Sequence, residues 1–244
     1  MTHRALRGQR TLVFAHRGGA KLAPENTIEA FDRGLAAGAD GLEFDVRLSR
    51  DCEVVVIHDP TINRTTPGTG AVSDLTADEL SRWRVPRLRE VLERYRDQAL
   101  IIELKESNGL LAKKVVDLVR EHDATDRVAL GSFHATPMRI ARELEPRIPT
   151  GAAKPEIRLA LYASYIGIAP VWASYQSLQV PERSRGRRGV SRRFIRAAHR
   201  AGLAVHVWTV DEERDMRRLI GWGVDAIISD RPDVAIRIVH ETRS

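Results

Sequence analysis

One short stretch decides the fold: residues 41–48, with the sequence GLEFDVRL. Apolar and charged side chains alternate along it, as in a β-strand whose two faces meet different surroundings. The apolar face carries Leu42, Phe44 and Val46, and the opposite face carries Glu43 and Asp45. If helices cover the apolar face, both carboxylates point inward. Burying two like charges is costly unless cations or hydrogen bonds compensate them, so this strand predicts a functional interior.

On both sides of this strand, short apolar runs alternate with longer amphipathic stretches, the pattern of βα units around parallel strands. Predicted strands are 12–16, 41–48, 54–58, 99–105, 128–133, 171–175, 203–210 and 224–229, with a weak strand near 150–152. Predicted helices are one from Asn26 as N-cap to Gly38, one at 86–96, one through Val115 and Val119, and others at 135–145, 190–201, 211–221 and 232–242. The turn-rich segment at about 60–85 is predicted to be a small insertion over the active-site face. The length of 244 residues fits a single α/β barrel domain over 1–244.

Composition restricts the classes of partner. The chain has 39 basic and 33 acidic residues, and only five of the basic residues are lysines. The positive charge favours anionic partners in general, but the arginines are scattered over many predicted helix faces, so solvated helix surfaces are the preferred interpretation. No nucleic-acid-binding signature accompanies them, and we expect no nucleic acid partner. The basic segment 182–188 is expected to be an exposed βα connection, with contact to lipid headgroups as the less favoured alternative. Cys52 is the only cysteine, and no apolar run suits a signal peptide or a membrane span, so we expect a soluble cytoplasmic protein.

Two histidines, His16 and His58, end predicted strands. Histidine has an unperturbed pKa of about 6.5, so one ring could take a proton near neutrality while the other supplies one. Arg17 follows His16 directly, and Lys105 ends a later strand. These cations could offset the charge of a phosphodiester and of its transition state. An ion pair with a nearby carboxylate is the structural alternative for Arg17.

A third carboxylate, Glu103, arrives on the later strand with the same inward geometry, because Ile101, Glu103 and Lys105 share one face. Three inward carboxylates without cysteine or an obligatory histidine make an all-oxygen site. Such a site suits Mg²⁺ or Ca²⁺ better than zinc. We therefore expect a divalent metal site, although a salt bridge to an arginine is the alternative for Glu43 or Asp45 alone.

These residues, in this order, resemble the glycerophosphodiester phosphodiesterase family. The matching stretches extend from the first strand to the last helix: HRG at 16–18, PENT at 24–27, GAD at 38–40, EFD at 43–45, VVVIHD at 54–59, RTT at 64–66, Gly70, IELK at 102–105, VWTV at 207–210 and GVDAIISDRP at 223–232. The resemblance covers essentially the full chain, and its first block is highly specific.

The resemblance implies a TIM (β/α)8 barrel with a small insertion after the second strand region. It implies metal-dependent hydrolysis of glycerophosphodiesters to sn-glycerol 3-phosphate and an alcohol. The implied site residues are Glu43, Asp45 and Glu103 for the metal, His16 and His58 as acid and base, Arg17 and Lys105 for the phosphate, and Trp208 for the glycerol side. For Trp208, a packed aromatic at the barrel rim is the alternative.

The sequence departs from the family pattern in three places. Cys52 stands where a glycine is common, and Asp211 replaces a frequent asparagine while still suiting a helix N-cap. The segment 152–193 matches poorly, which leaves the preferred alcohol open. Phe133 and His134, on the rim of the strand at 128–133, are further candidates for substrate contact.

Three other functions remain open from the sequence. The same site could act on larger lysophospholipid-like substrates, as a lysophospholipase D does. A metal-dependent barrel lyase or isomerase could use Lys105 as base, but it would leave His16 and His58 without a joint task. A non-catalytic binding barrel is the third alternative, although the predicted catalytic positions are all present.

Overall fold

The structure is a computed structural model, and it describes residues 3–184 and 187–242. Its strands are β1 (Leu12–His16), β2 (Gly41–Leu48), β3 (Val54–Val56), β4 (Ala99–Leu104), β5 (Val128–Gly131), β6 (Ser177–Pro181), β7 (Arg183–Ser184), β8 (Arg187–Arg188), β9 (Ala204–Trp208) and β10 (Ala226–Ser229). The helices are α1 (Ile28–Ala36), α2 (Ala77–Ser81), α3 (Leu88–Arg94), α4 (Gly109–Glu121), α5 (Ala135–Leu144), α6 (Lys154–Tyr165), α7 (Arg192–Arg200), α8 (Glu213–Ile220) and α9 (Pro232–Glu241), with a 3₁₀ turn at Val72–Asp74.

Seven parallel strands form the barrel wall in the order β5-β4-β2-β1-β10-β9-β6. Thr150 and Gly151 bridge the remaining gap, since Thr150 pairs with Leu130 of β5 and Gly151 pairs with Ser177 of β6. The predicted TIM barrel is therefore confirmed. The weak strand near 150–152 is reduced to this two-residue bridge.

The alternation along β2 has the predicted consequence for packing. Leu42, Phe44 and Val46 are buried in a core that includes Phe31 of α1 and Leu92 of α3. The charged residues of β2 therefore face the barrel interior. The lower interior is filled by Phe14, Ile101 and Ile228, together with Ala5 and Leu6 from the segment before β1.

The segment after β2 leaves the barrel wall. β3 pairs antiparallel with β2, with Val46 opposite Val56. The 3₁₀ turn and α2 follow, and their apolar side chains form a small separate core around Ile62 and Leu80. This is the insertion predicted at about 60–85, while the predicted strand at 54–58 is shortened to the three residues of β3.

The strand predicted at 171–175 is wrong. Val171 and Trp172 are exposed, at 74% and 52%, and the barrel strand is β6 at Ser177–Pro181. The apolar run that predicted a strand belongs to a surface loop. This loop follows α6, a helix that the sequence did not indicate. Arg185 and Gly186, within the basic segment, lie outside the described residues.

The predicted N-cap of the first helix is also wrong by one residue. Thr27 caps α1, and its hydroxyl accepts a hydrogen bond from the Ala30 N–H. Asn26 instead adopts a left-handed backbone conformation, with φ of 57°. Its side chain therefore does not cap the helix and contacts Asp45 in the barrel interior instead. Among the described residues, no helix combines the length and apolar composition needed to cross a membrane.

Candidate active site

An open cavity lies at the carboxyl ends of the barrel strands. Inward side chains from several strands converge at this end of a parallel barrel. Seven of the eight predicted site residues line the cavity: His16, Arg17, Glu43, His58, Glu103, Lys105 and Trp208. The eighth, Asp45, is buried and touches Lys105.

The three predicted metal ligands meet at the base of this cavity. Asp45 of β2 stands beside Glu103 of β4 in the parallel register, and Glu43 precedes Asp45 on the same face. One carboxylate oxygen from each of the three lies within 4.8 Å of the others. They form the only such cluster of three or more acidic, histidine or cysteine ligands among the residues that the structure describes.

Two cations lie against these carboxylates. The Lys105 Nζ is 3.0 Å from Asp45 Oδ1 and 3.1 Å from Glu103 Oε2. The Arg17 Nε is 3.4 Å from Asp45 Oδ2. Arg17 also donates from Nη1 to Glu25 Oε1 at 2.8 Å, so the ion pair considered as its structural alternative is present as well. Arg17 and Lys105 nevertheless both line the cavity.

Asn26 fixes the orientation of Asp45. Its Nδ2 donates to Asp45 Oδ2 at 3.0 Å, and its Oδ1 accepts from the Asp45 backbone N–H at 3.4 Å. Asparagine tolerates the left-handed conformation better than most residues, which explains its suitability here. The PENT stretch thus supplies both the helix cap, Thr27, and a brace for the acidic cluster.

Burial and mutual repulsion perturb the three carboxyls unequally. Burial raises the pKa of Glu43 to about 7, with His16 opposing the effect and Asp45 adding to it. Burial also raises the pKa of Glu103, against the charge of Lys105. For Asp45, burial acts in the same direction, but Lys105 and Arg17 outweigh it and hold the pKa below its usual value. A hard divalent cation would relieve this desolvation and repulsion, so the residues present fit such an ion.

His16 is held by a carboxylate from the far end of the chain. Its Nδ1 lies 2.6 Å from Asp230 Oδ1, and its Nε2 lies 3.8 Å from Glu43 Oε2. Asp230 follows β10, which pairs with β1 in parallel. The hydrogen bond at Nδ1 leaves Nε2 as the nitrogen that is available on the cavity side.

Asp211 supports Asp230. Its Oδ1 accepts hydrogen bonds from the Asp230 backbone N–H and from Ser229 Oγ, both at 2.9 Å. Its Oδ2 lies 2.9 Å from Lys21 Nζ. The prediction of Asp211 as a helix N-cap is therefore wrong: Glu212 occupies that position, because the Asp211 carboxylate is already engaged with the loop after β10.

His58 is held by its neighbour in sequence. Its Nδ1 lies 2.6 Å from Asp59 Oδ1. Arg64 donates from Nε to Asp59 Oδ2 at 2.6 Å and from Nη1 and Nη2 to Glu25. Since Glu25 also accepts from Arg17, a continuous chain of ion pairs joins the insertion to the cavity wall.

The two histidines differ in their electrostatic surroundings. Burial lowers the pKa of His16, but the hydrogen bond to Asp230 and the charge of Glu43 outweigh it and raise that pKa above 6.5. For His58, burial is the dominant effect and lowers the pKa below 6.5, with Asp45 and Asp59 opposing it only in part. Near pH 6.5 the arrangement therefore favours one protonated and one neutral imidazole.

The opposite side of the cavity is largely apolar. Trp208 and Phe133 stand edge to face with ring centroids 5.8 Å apart, and Ile157 lies in the same wall. His134 does not line this cavity; it borders an adjoining surface depression with Arg47 and Asn108, and Lys105 lines both. Of the two rim candidates, only Phe133 is brought to the site.

Gln179 adds a polar group to this wall that the sequence did not indicate. It projects between two glycines: a Cβ on Gly131 would lie 2.9 Å from its Oε1, and one on Gly151 would lie 3.3 Å from its Nε2. Its Nε2 is buried without a hydrogen-bond partner among the described residues. Gln179 and Ile157 both come from the segment that matched the family pattern poorly.

The sequence analysis did not identify several residues that orient the predicted catalytic residues and metal ligands. Asp230, Asp59, Arg64 and Asn26 all stand in stretches that carried the resemblance. Their proximity to the predicted catalytic residues in sequence was a signal for Asp59 and Asn26. Nothing local indicated that Asp230 meets His16, because 214 residues separate them.

Comparisons with known proteins agree with this architecture. The model of the glycerophosphoryl diester phosphodiesterase family matches residues 16–234. A glycerophosphodiester phosphodiesterase of Caldanaerobacter subterraneus subsp. tengcongensis is 32% identical, over 95% of this chain and 99% of the relative. The crystal structure of a glycerophosphodiester phosphodiesterase from Agrobacterium tumefaciens superimposes with a TM-score of 0.76 at 29% identity, covering 93% of this chain and 98% of that one.

A phosphodiesterase of Oleispira antarctica, solved in complex with the product sn-glycerol-3-phosphate, has the same fold. Its TM-score is 0.80 at 24% identity, over 95% of this chain and 97% of that one. The family model spans most of the chain, and the relatives match it almost from end to end. The chain therefore belongs to the glycerophosphoryl diester phosphodiesterase family and is an enzyme of the phosphoric diester hydrolase class.

Proposed function

We propose that the protein hydrolyses glycerophosphodiesters to sn-glycerol 3-phosphate and an alcohol. One observation carries the proposal: a cluster of three carboxylates within 4.8 Å of one another lies at the base of a cavity that two carboxylate-oriented histidines border. The lyase or isomerase alternative has no use for this pair of histidines. The product bound to the Oleispira antarctica relative is consistent with the proposed reaction.

Glu43, Asp45 and Glu103 would hold a divalent cation, Mg²⁺ or Ca²⁺, because all of their ligand atoms are oxygens. When bound, the ion supplies charge stabilisation to the phosphate and lowers the pKa of the attacking hydroxyl. Arg17 and Lys105 would bind the phosphate oxygens as fixed positive charges. Trp208 would cover the glycerol side of the substrate.

The opposite pKa directions of the histidines support a division of roles. His58, neutral near pH 6.5, would take the proton of the attacking hydroxyl at Nε2. A P–O bond then forms to the attacking oxygen while the P–O bond to the alcohol breaks. His16, protonated near the same pH, would give its proton from Nε2 to the departing alkoxide. Asp230 and Asp59 would keep both rings in the required tautomer.

Release of glycerol 3-phosphate from a panel of glycerophosphodiesters tests the proposal. We expect turnover to need a divalent cation and to fall by at least about 100-fold in His16→Ala, as for loss of a general acid. Glu43→Ala should lose activity that added metal does not restore at ordinary concentrations. His134→Ala is the matched control, because this histidine also follows a barrel strand but lies outside the cavity.

Turnover that resists a chelator, or full activity in His16→Ala, contradicts the proposed mechanism. Including lysophospholipids in the panel separates the alternative of a lysophospholipase D. Product analysis in ¹⁸O-labelled water, with a search for cyclic glycerol phosphate, distinguishes water from the neighbouring glycerol hydroxyl as the attacking group.

We also propose a cytoplasmic location, which the single cysteine favours.

A further inference from the structure

The helix α6 and the loop after it expose an unusual number of apolar side chains. Tyr162 is 67% exposed, Ile166 is 72% exposed and Val171 is 74% exposed. Isolated exposed apolar residues are common on proteins, but a contiguous group marks an interaction surface. The group consists of Tyr162, Tyr165, Ile166, Ile168, Val171 and Trp172.

Basic side chains of the neighbouring helix border this group. α6 packs against α7, which runs from Arg192 to Arg200. The Arg200 Nη2 donates to the Gly167 carbonyl at 3.0 Å, and the Arg193 Nη2 lies 3.7 Å from the point where a Gly167 Cβ would be. Two guanidinium groups thus lie at the start of the apolar loop. We call this surface, made by the exposed residues of α6, α7 and the loop 166–172, the α6–α7 face.

The α6–α7 face carries positive charge that the protein itself leaves uncompensated. Five of its arginines have no carboxylate within 4.0 Å in the described part of the chain: Arg158, Arg192, Arg193, Arg196 and Arg200. Residues 157–181 include no aspartate or glutamate. By contrast, Arg217 and Arg237, on α8 and α9, each contact both Glu213 and Glu241.

We propose that the α6–α7 face binds the surface of an anionic phospholipid bilayer. Tyrosine and tryptophan favour the boundary between acyl chains and headgroups, and flanking arginines are attracted to anionic lipids. A second copy of the chain is a poorer occupant. A two-fold interface on this face would bring the same uncompensated arginines of both copies together.

This surface is separate from the active-site cavity. α6 begins with Lys154 beside the cavity residues Ala152 and Ile157, and its 12 residues extend about 18 Å away from the cavity. Ile166 and Trp172 lie beyond that far end. Binding there would leave the cavity open to solvent, and it requires no turnover, so the proposal is tested independently of the proposed function.

Vesicle flotation of the full chain provides the test. We expect the protein to float with vesicles of phosphatidylcholine and phosphatidylglycerol in equal parts, and to remain in solution with phosphatidylcholine alone. Binding should weaken as salt is raised, because surface charges are screened within about 10 Å at 0.1 M salt. Equal binding to both kinds of vesicle, or none to either, overturns the proposal.

Two sets of variants locate the binding surface. The triple change Arg158→Gln, Arg193→Gln and Arg196→Gln should weaken binding to mixed vesicles by about 100-fold, from the typical attraction of each arginine to anionic lipid. The matched control is Arg82→Gln, Arg96→Gln and Arg214→Gln, which removes the same charge from other elements and should change binding by less than about threefold.

Tyr162→Ser with Ile166→Ser tests the apolar contribution against Leu110→Ser, an exposed apolar residue on α4. We expect the first pair to reduce vesicle binding by at least about tenfold. Circular dichroism and hydrolysis of a water-soluble substrate check that the variants fold. The proposal is wrong if the α6–α7 variants bind like the controls, or if sedimentation reveals a dimer that they disrupt without any change in vesicle binding.

Discussion

His16 and His58 present the same type of ring to one cavity, but their surroundings shift the two pKa values in opposite directions. His16 lies near the carboxylates of Glu43 and Asp230. The pKa of His58 is lowered by burial first, and Lys105 and Arg17 lower it further. When the pKa values of two groups are separated, one group is protonated and the other is deprotonated at the same pH. General acid–base catalysis requires this combination.

This asymmetry predicts a bell-shaped dependence of kcat/KM on pH. Activity should fall below pH 6.5 as His58 becomes protonated, and above pH 6.5 as His16 loses its proton. In Asp230→Asn a carboxylate that raises the pKa of His16 is lost, so the alkaline limb should move to lower pH while the acid limb stays.

Asp233→Asn is the control for this change, because Asp233 is a carboxylate three residues later that pairs with Arg231. It should leave both limbs in place. Movement of the acid limb in Asp230→Asn, with the alkaline limb unchanged, would reverse the assignment of acid and base.

From the geometry of Glu43, Asp45 and Glu103, we predict that the affinity for a divalent cation depends on all three carboxylates. Glu103→Gln removes one charged ligand and should weaken Mg²⁺ or Ca²⁺ binding by roughly 100-fold, because ligand charge strongly tunes such sites. Isothermal titration calorimetry measures this directly. Glu106→Gln is the matched control, since Glu106 follows the same strand but accepts a hydrogen bond from the Leu48 N–H outside the cluster. Equal affinities in both variants would remove Glu103 from the metal site.

At the scale of single elements, the turn between β2 and β3 contains a strained position. Cys52 has φ of 58°, in the left-handed region that favours glycine. This accounts for the glycine that is common at this place in the family. The thiol itself is exposed, so it contributes little packing to the turn.

Cys52→Gly should therefore raise the free energy of unfolding by about 0.5 kcal/mol, because relief of strain exceeds the added entropy of the unfolded chain. Cys52→Ser removes the thiol without relieving the strain and should leave stability unchanged. Urea unfolding of the three proteins makes the comparison. A loss of stability in Cys52→Gly would mean that the cysteine side chain stabilises the turn.

Elements with strong local patterns could be predicted from the sequence, and those shaped by distant contacts could not. The alternation along β2 correctly predicted which side chains point inward, because a strand buried between helices and a polar interior allows only one orientation. The prediction at 171–175 was wrong because Val171 and Trp172, the large apolar residues that begin the run, are exposed in a loop. Asp211 is of a residue type that is favoured at helix N-caps, yet its carboxylate accepts a hydrogen bond from the loop after β10 instead.

At the scale of the whole molecule, the barrel sheet has a weak seam between β5 and β6. In the part of the chain that the structure describes, isolated bridges at Thr150 and Gly151 continue the sheet there. Arg142 of α5 reinforces the seam from outside. Its guanidinium donates to Thr150 Oγ1 at 2.7 Å, to the Gly151 carbonyl at 3.1 Å and to both oxygens of Glu156. One side chain thus ties α5, the bridge and α6 together.

Arg142→Ala should lower the free energy of unfolding by about 2 kcal/mol, because several charge-assisted hydrogen bonds of a half-buried group are lost. Arg139→Ala, on the exposed side of the same helix, breaks only the ion pair with Glu143 and should cost less than about 0.5 kcal/mol. Urea unfolding gives both values. Hydrogen exchange at residues 150–152 should accelerate in Arg142→Ala alone; unchanged exchange there would show that the bridges suffice without the arginine.

The contact between His16 and Asp230 also sets an order of assembly during synthesis. His16 leaves the ribosome 214 residues before its partner Asp230, which follows β10 directly. The contact forms only when β10 docks beside β1, a pairing of high sequence separation and therefore slow to form. A nascent chain thus carries the acidic cluster and His58 well before His16 is anchored. Under the proposed mechanism, catalytic competence is therefore acquired only after β10 has docked beside β1.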